Sequence, residues 1–229
     1  MLVLNLKPGY KLIENGLIIK NERIVSSFVS DDEEVVIPDF VTKINKQVFS
    51  NKDNLKSIYI PKSVIDIGPG QFICCHKLEN IEVDIGNPRY KSINNCLIDK
   101  ETNTLIAGCK TSKLTSEANV IIIGRNAFTC CYNLESIVIP DTVTRIDKYA
   151  FSECKGLKKV IMFDSVVSIK EGAFEDCTEL EEVVLSKNVK VIHDYVFAGC
   201  KKLTKLNIHS GIERLGIDSL ELARQLIIK

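Results

Sequence analysis

The sequence has no excess of either charge: lysine plus arginine and aspartate plus glutamate number 30 each. Nucleic acid and anionic membranes usually select a clear basic surplus, so neither is expected as a main partner. No uninterrupted apolar run approaches the roughly 18 residues that would span a bilayer, so membrane insertion is not expected. Residues 1–8 are too short, and too early broken by Pro8, for a secretory h-region. Either the protein stays where it is made or a leader has been removed. No Pro/Gly/Ser-rich linker divides the chain, and its 229 residues can bury a core as one domain.

The signatures of catalysis are missing too. There is no G-x-G-x-x-G or Walker loop and no G-x-S-x-G nucleophile turn. The three histidines, His76, His193 and His209, fall at different phases of the pattern described below, so they are not expected to converge on a metal or act as a catalytic base. The carboxylate runs at 31–34 and 179–182 read as solvated charges rather than an acid/base pair. The expectation is a protein without enzymatic activity, cofactor or metal.

What the sequence does have is a period. Phe49, Phe72, Phe128, Phe151, Phe174 and Phe197 are spaced by 23 residues, except for one interval of 56. Six residues after each comes Leu55, Leu78, Leu134, Leu157, Leu180 or Leu203. Nine and eleven after each come apolar pairs such as Ile58 and Ile60, or Ile137 and Ile139. A Val-x-x-Ile type pair follows in most coils, as in Val143 and Ile146. Leu-x-x-Ile-x-Ile alternates like a strand, and Pro61 and Pro140 end two of these segments. The (Ala/Val)-Phe-x-x-Cys segment, apolar at i and i+3, fits one helical or 3₁₀ turn. Such a unit has one apolar side, which stacking at strand spacing, about 4.7–4.9 Å, would bury. A solenoid follows, with parallel strands on one wall and tight turns on the other.

The unit L-x-x-I-x-I-P-x-x-V-x-x-I-x-x-x-A-F-x-x-C resembles the BspA-like subclass of leucine-rich repeats, almost throughout from Phe128 to Ser219. Departures are Phe163, Ser186 and His209 where proline is usual, Lys52 in place of the first Cys, and Gln71 in place of Ala. The resemblance implies an α/β solenoid: a right-handed leucine-rich-repeat superhelix of 23-residue repeats, with β-hairpin insertions. The 56-residue interval holds such an insertion. Tyr90-Lys91-Ser92-Ile93-Asn94-Asn95-Cys96-Leu97-Ile98 repeats Tyr10-Lys11-Leu12-Ile13-Glu14-Asn15-Gly16-Leu17-Ile18, and each is followed by a polar turn and a second apolar run. The expected division is a hairpin cap over 1–34, first repeats over 35–83, a hairpin insertion over 84–119, regular repeats over 120–216 and a helical cap over 217–229.

Nine cysteines look like an invitation to metal or disulfide chemistry, but their phase argues otherwise. Cys75, Cys131, Cys154, Cys177 and Cys200 lie three residues after the repeat Phe, one per coil. Zinc sites use close pairs, and row neighbours have parallel Cβ vectors that suit a bridge poorly. Packing behind the aromatic is the expected role. Cys74 and Cys130 should point the other way and be more exposed, while Cys96 and Cys109 belong to the insertion and are not placed by phase.

Strand alternation leaves Tyr59, Glu82, Val138, Ile161, Val184 and Asn207 facing out of the strand wall at one phase. Val138, Ile161 and Val184 would form a contiguous apolar stripe, with Tyr59 and Glu82 on one side and Asn207 on the other. β-Propensity alone could account for the stripe. Alternatively, an exposed apolar patch with a polar rim marks a binding surface. The expected function is a non-enzymatic scaffold holding a protein or glycan ligand on this wall, as a monomer. The resemblance adds a cell-surface or secreted setting and adhesion to host, matrix or neighbouring-cell proteins. The competing expectation is a spacer solenoid with no ligand of its own.

Overall fold

The structure, a computed structural model, describes residues 6–13 and 16–220. The Leu-x-x-Ile-x-Ile segments end in strands: Glu34–Val36, Ser57–Ile60 and Asn80–Val83, then Ser136–Ile139, Lys159–Met162, Glu182–Val184 and Lys205–Leu206. Within each group the strands pair in parallel, each residue against its equivalent one coil later. A second parallel ladder, not expected from the sequence, uses two-residue strands at the Val-x-x-Ile position, such as Arg145–Ile146 and Ser168–Ile169. The solenoid therefore carries strands on two of its sides.

The Phe segment, expected as one helical or 3₁₀ turn, is a run of hydrogen-bonded turns rather than a helix. Its N–H groups alternate in direction. Ala127, Thr129 and Cys131 donate within the turn, to Gly124, Asn126 and Phe128. Asn126, Phe128 and Cys130 donate to Lys148, Ala150 and Ser152 of the next coil. This alternation needs left-handed residues, and Asn126 (φ 58°) and Cys130 (φ 63°) supply them, as Tyr149 and Glu153 do one coil on. An apolar i, i+3 spacing suits both kinds of turn and does not tell them apart.

Inside, the repeat aromatics stack. Phe128, Phe151, Phe174 and Phe197 lie 5.2, 5.1 and 5.6 Å apart, their ring planes nearly parallel. Cys154, Cys177 and Cys200 are buried behind them, and each thiol donates to a Phe carbonyl of the preceding coil at 3.0–3.1 Å. Cys75 bonds Phe49 O in the same way but is half-buried, as is Cys131. Burial pushes the Cys75 thiol up to about 12.

The hairpins are more than insertions on the surface. Leu17–Lys20 pairs antiparallel with Ile24–Phe28, and Cys96–Asp99 with Thr104–Ala107. In each case a third strand, Tyr10–Leu12 or Tyr90–Ile93, lies on the outer side, and the last strand passes in parallel into the two-residue ladder. Cys96–Asp99 is buried along its whole length. Cys96 and Ile98 pack into the core of the later coils, and Leu97 into that of the earlier ones. The second hairpin is thus a layer through the solenoid. It separates the stack of Phe28, Phe49 and Phe72 from the stack that begins at Phe128.

Gly108 makes that layer thin enough to fit. A Cβ there would stand 2.1 Å from the Phe128 ring, whereas the equivalent position of the first hairpin is Phe28, which starts its own stack. Several buried polar groups at the layer find partners there. Asn87 donates to the carbonyls of Pro61 and Val64 and accepts from the amides of Arg89 and Tyr90. The Tyr90 hydroxyl accepts from Ile67 N, and buried Asp99 is paired with Arg89.

Two expectations need correction or limits. Cys74 and Cys130 are not a pair of exposed thiols: Cys130 is buried, Cys74 half-buried, and a disulfide joins them. They occupy the same phase, and folding out the 56-residue interval brings their coils together. Cys96 and Cys109 are buried and free. Of the expected C-terminal helix, residues 217–220 form a turn with Leu220 buried at the Phe position. The rest lies outside the described residues.

Candidate interaction face

The outward row of the longer strands is where sequence and geometry meet. In the later coils, Val138 stands directly opposite Ile161, and Ile161 opposite Val184. Their inward neighbours Ile137, Ile139, Val160, Met162 and Val183 are buried, which fixes the register and so the row. Val138 is 49% exposed, and Ile161 and Val184 are half-buried. Beside the row, Lys159 and Glu182 form an ion pair at 3.1 Å, and Lys158 lies 3.7 Å from Glu135.

One residue extends the patch that sequence reasoning passed over. Phe163, 49% exposed, directly follows Met162 at the end of its strand. The equivalent positions in adjacent coils, Pro140 and Ser186, are buried. The signal was present, because Phe163 is one of the departures from proline. A second omission is Val36, 60% exposed and in register with Tyr59. Alternation around inward Val35 and Ile37 would have found it.

Two of the remaining expected residues lie on another sheet. Tyr59 and Glu82 are register neighbours of each other, but on the three-stranded sheet of the earlier coils. That sheet does not continue into the four-stranded one bearing Val138. The hairpin layer takes up its edge: Ser92 Oγ accepts from Val83 N, and Thr111 Oγ1 donates to Glu79 O. The Tyr59 hydroxyl is turned to Asp84 at 2.8 Å, a bond that raises the tyrosine pKa and, with the Gly86 amide, lowers that of the carboxyl. Asn207 folds back onto the end of the preceding strand, accepting from Leu185 N at 2.6 Å. The bond caps that strand end, and Asn207 itself stays exposed.

Among the described residues no three His, Cys, Asp or Glu side chains could hold a metal ion, and no helix is long and apolar enough to cross a membrane. His76 stacks on Tyr132, and His209 is tied to Ser186 O. Burial, reinforced by Lys170 and Arg214, lowers the pKa of His193.

Comparison with known proteins bears on this geometry. The sequence pattern of the BspA type leucine rich repeat region, in six copies, matches residues 28–106 and 102–226. The chain belongs to the BspA-type leucine-rich repeat family. No curated protein sequence matches it. Among solved structures it is similar to a leucine rich cell surface protein from Faecalibacterium prausnitzii A2-165, with 31% identity and a TM-score of 0.57, over 80% of this chain and 43% of that one. It is also similar to the T. pallidum leucine rich repeat protein, with 27% identity and a TM-score of 0.50, over 90% of this chain and 82% of that one. Pneumococcal vaccine antigen PcpA, at 22% identity and a TM-score of 0.56 over 80% of this chain and 47% of that one, shares the fold. The chain spans under half the length of the first of these proteins. Membership in the BspA-type family supports reading the chain as a protein-interaction scaffold.

Proposed function

We propose that the chain works as a single, non-enzymatic repeat domain that captures a protein ligand on the strand wall of its later coils. Val138, Ile161 and Val184 form the apolar centre, and Phe163 is an aromatic anchor at its edge. The observation that carries this is the register: three outward aliphatic side chains on consecutive strands, beside an aromatic where the repeat ordinarily has a proline. A rigid apolar row with a charged border is the form that interface centres take. The Faecalibacterium neighbour is described as a cell surface protein, which supports a surface setting and an adhesin-like role for this family member.

The test uses immobilised chain exposed to matrix proteins and bacterial surface extracts. The wild type should retain a protein, and the Ile161→Asp, Val184→Asp double variant should retain none while melting as the wild type does. At an interface centre each such change weakens binding by about 2 kcal/mol or more, roughly thirtyfold. Equal retention by the variant would remove the stripe from the proposal. Failure of the wild type to retain anything would favour a spacer.

A further inference from the structure

We propose that Cys74 and Cys130 are a redox latch, holding the two halves of the solenoid together across the hairpin layer. Both lie two residues after the repeat Phe, with φ of 55° and 63°. Asn51, Glu153, Asp176 and Gly199 occupy the same position in the other coils and have the same left-handed backbone. In those coils the position does a defined job. Asn51, Glu153 and Asp176 each donate their N–H to a carbonyl of the next turn, Ile73, Glu175 and Ala198, at 2.7–2.8 Å.

Among the described residues, no backbone hydrogen bond joins the turn around Phe72 to the turn around Phe128. The Ala127 carbonyl, which by the pattern of the other coils would accept from Phe72 N, instead accepts from Gly108 at 2.8 Å. The Phe stack and the longer-strand wall break at the same place. Yet the two turns remain face to face: His76 and Tyr132, each four residues after its Phe, stack at 4.4 Å. The Cα atoms of Cys74 and Cys130 are 4.9 Å apart, within the range that disulfides span and equal to one coil spacing. Among the described residues the sulfur pair therefore occurs at the one junction between Phe turns where the turn ladder is missing, and the bridge encloses the whole second hairpin.

The other seven cysteines are poor substitutes. Most are buried, and burial pushes the thiols of Cys75 and Cys96 up to about 12, so they stay protonated at neutral pH. Within the pair, Cys74 is half-buried and Cys130 buried, so Cys74 is the one of the two that a reagent reaches first. Closing the latch requires a disulfide oxidant, either a small-molecule disulfide or an oxidoreductase. The Cys74 thiolate attacks one sulfur of that disulfide and expels its partner as a thiolate. Cys130 then attacks Cys74 Sγ in the mixed disulfide and expels the second thiolate. The chain loses two protons and two electrons, and the oxidant leaves as two thiols. A thiol reductant attacking Cys74 Sγ reverses the sequence.

The full chain is incubated with oxidised or reduced glutathione and compared by non-reducing peptide mapping, by thiol titration in denaturant, and by amide hydrogen exchange. Oxidised chain should yield one linked pair of peptides, joining Cys74 to Cys130, and seven titratable thiols. Amides in Asn80–Val83 and Thr104–Ala107 should exchange about tenfold or more slowly in the oxidised chain, because opening the junction is then tethered. Cys74→Ser should match the reduced wild type and be insensitive to oxidant. The reversible response of the wild type carries the test if that variant fails to fold. Nine free thiols after oxidation, a bridge between any other pair, or equal exchange in both states would overturn the proposal.

Discussion

Replacing Phe151 with alanine tests the stacking that organises the whole chain. The ring is fully buried and lies between Phe128 at 5.2 Å and Phe174 at 5.1 Å, almost parallel to both. Removing it from water contributes about 1.5–3 kcal/mol. Each aromatic pair adds about 0.5–1.5 kcal/mol, so the two bring the sum to about 2.5–6 kcal/mol. That brackets the 3–5 kcal/mol generally lost when a buried phenylalanine becomes alanine. The upper part of the range is expected, because the flanking turns are pinned by bonds from Phe128 to Ala150 and from Phe151 to Ala173, and cannot close around the cavity. Urea unfolding is the assay. With a slope of about 2–3 kcal/mol per molar, the midpoint should fall by about 1–2 M. Phe197→Ala, which removes a ring paired with Phe174 alone among the aromatics, should cost about 1 kcal/mol less. A loss below about 1 kcal/mol at Phe151, or equal losses at both positions, would refute the reasoning.

Gly108→Ala places a methyl group 2.1 Å from the Phe128 ring and should cost about 1–3 kcal/mol, seen as a fall of about 3–10 °C in Tm; an unchanged melt would show that the hairpin does not press on that ring. Acid should destabilise the fold. Glu79, Asp84 and Glu171 are held below their ordinary values by hydrogen bonds from the Lys110, Tyr59 and Lys148 side chains respectively, with the Gly86 amide contributing at Asp84, and Asp164 by the Lys187 amide and then its side chain. A carboxylate with a depressed folded pKa contributes stability above its unfolded value and loses it as pH falls through the folded one. His193, lowered by burial, acts in the same direction from the ordinary histidine range downward, while Glu175, raised by burial, opposes them. The urea midpoint should therefore drop between neutral pH and pH of about 3, and a constant midpoint would count against these pairings.

The sequence was most informative wherever one side chain does the same thing in every coil. Phe151, Leu157 and Ile169 repeat because each meets its own equivalent above and below, and a period survives translation along an axis. What was hidden depends on contacts that break the translation. Cys74 and Cys130 are 56 residues apart, and their adjacency appears only when the hairpin is folded out of the count. The stretch Cys96-Leu97-Ile98 lacks alternation because it is buried on both faces, and a continuous apolar run gives no hint of which core each residue serves. On the candidate face, parity correctly placed Val138, Ile161 and Val184 outward. It could not foresee that Asn207 accepts from Leu185 N, nor that the hairpin would leave Tyr59 and Glu82 on a separate sheet.

The second hairpin has a bearing on how such a chain can change its length. A stack of coils must begin on something that offers a finished apolar surface, and the two hairpins, starting at Tyr10 and Tyr90, each provide one. The array after each start can gain or lose a 23-residue unit without a new terminus having to be invented. Growth by duplication can thus proceed independently in the two segments, and a gene encoding this protein can lengthen one arm of the molecule while leaving the other arm's surface untouched.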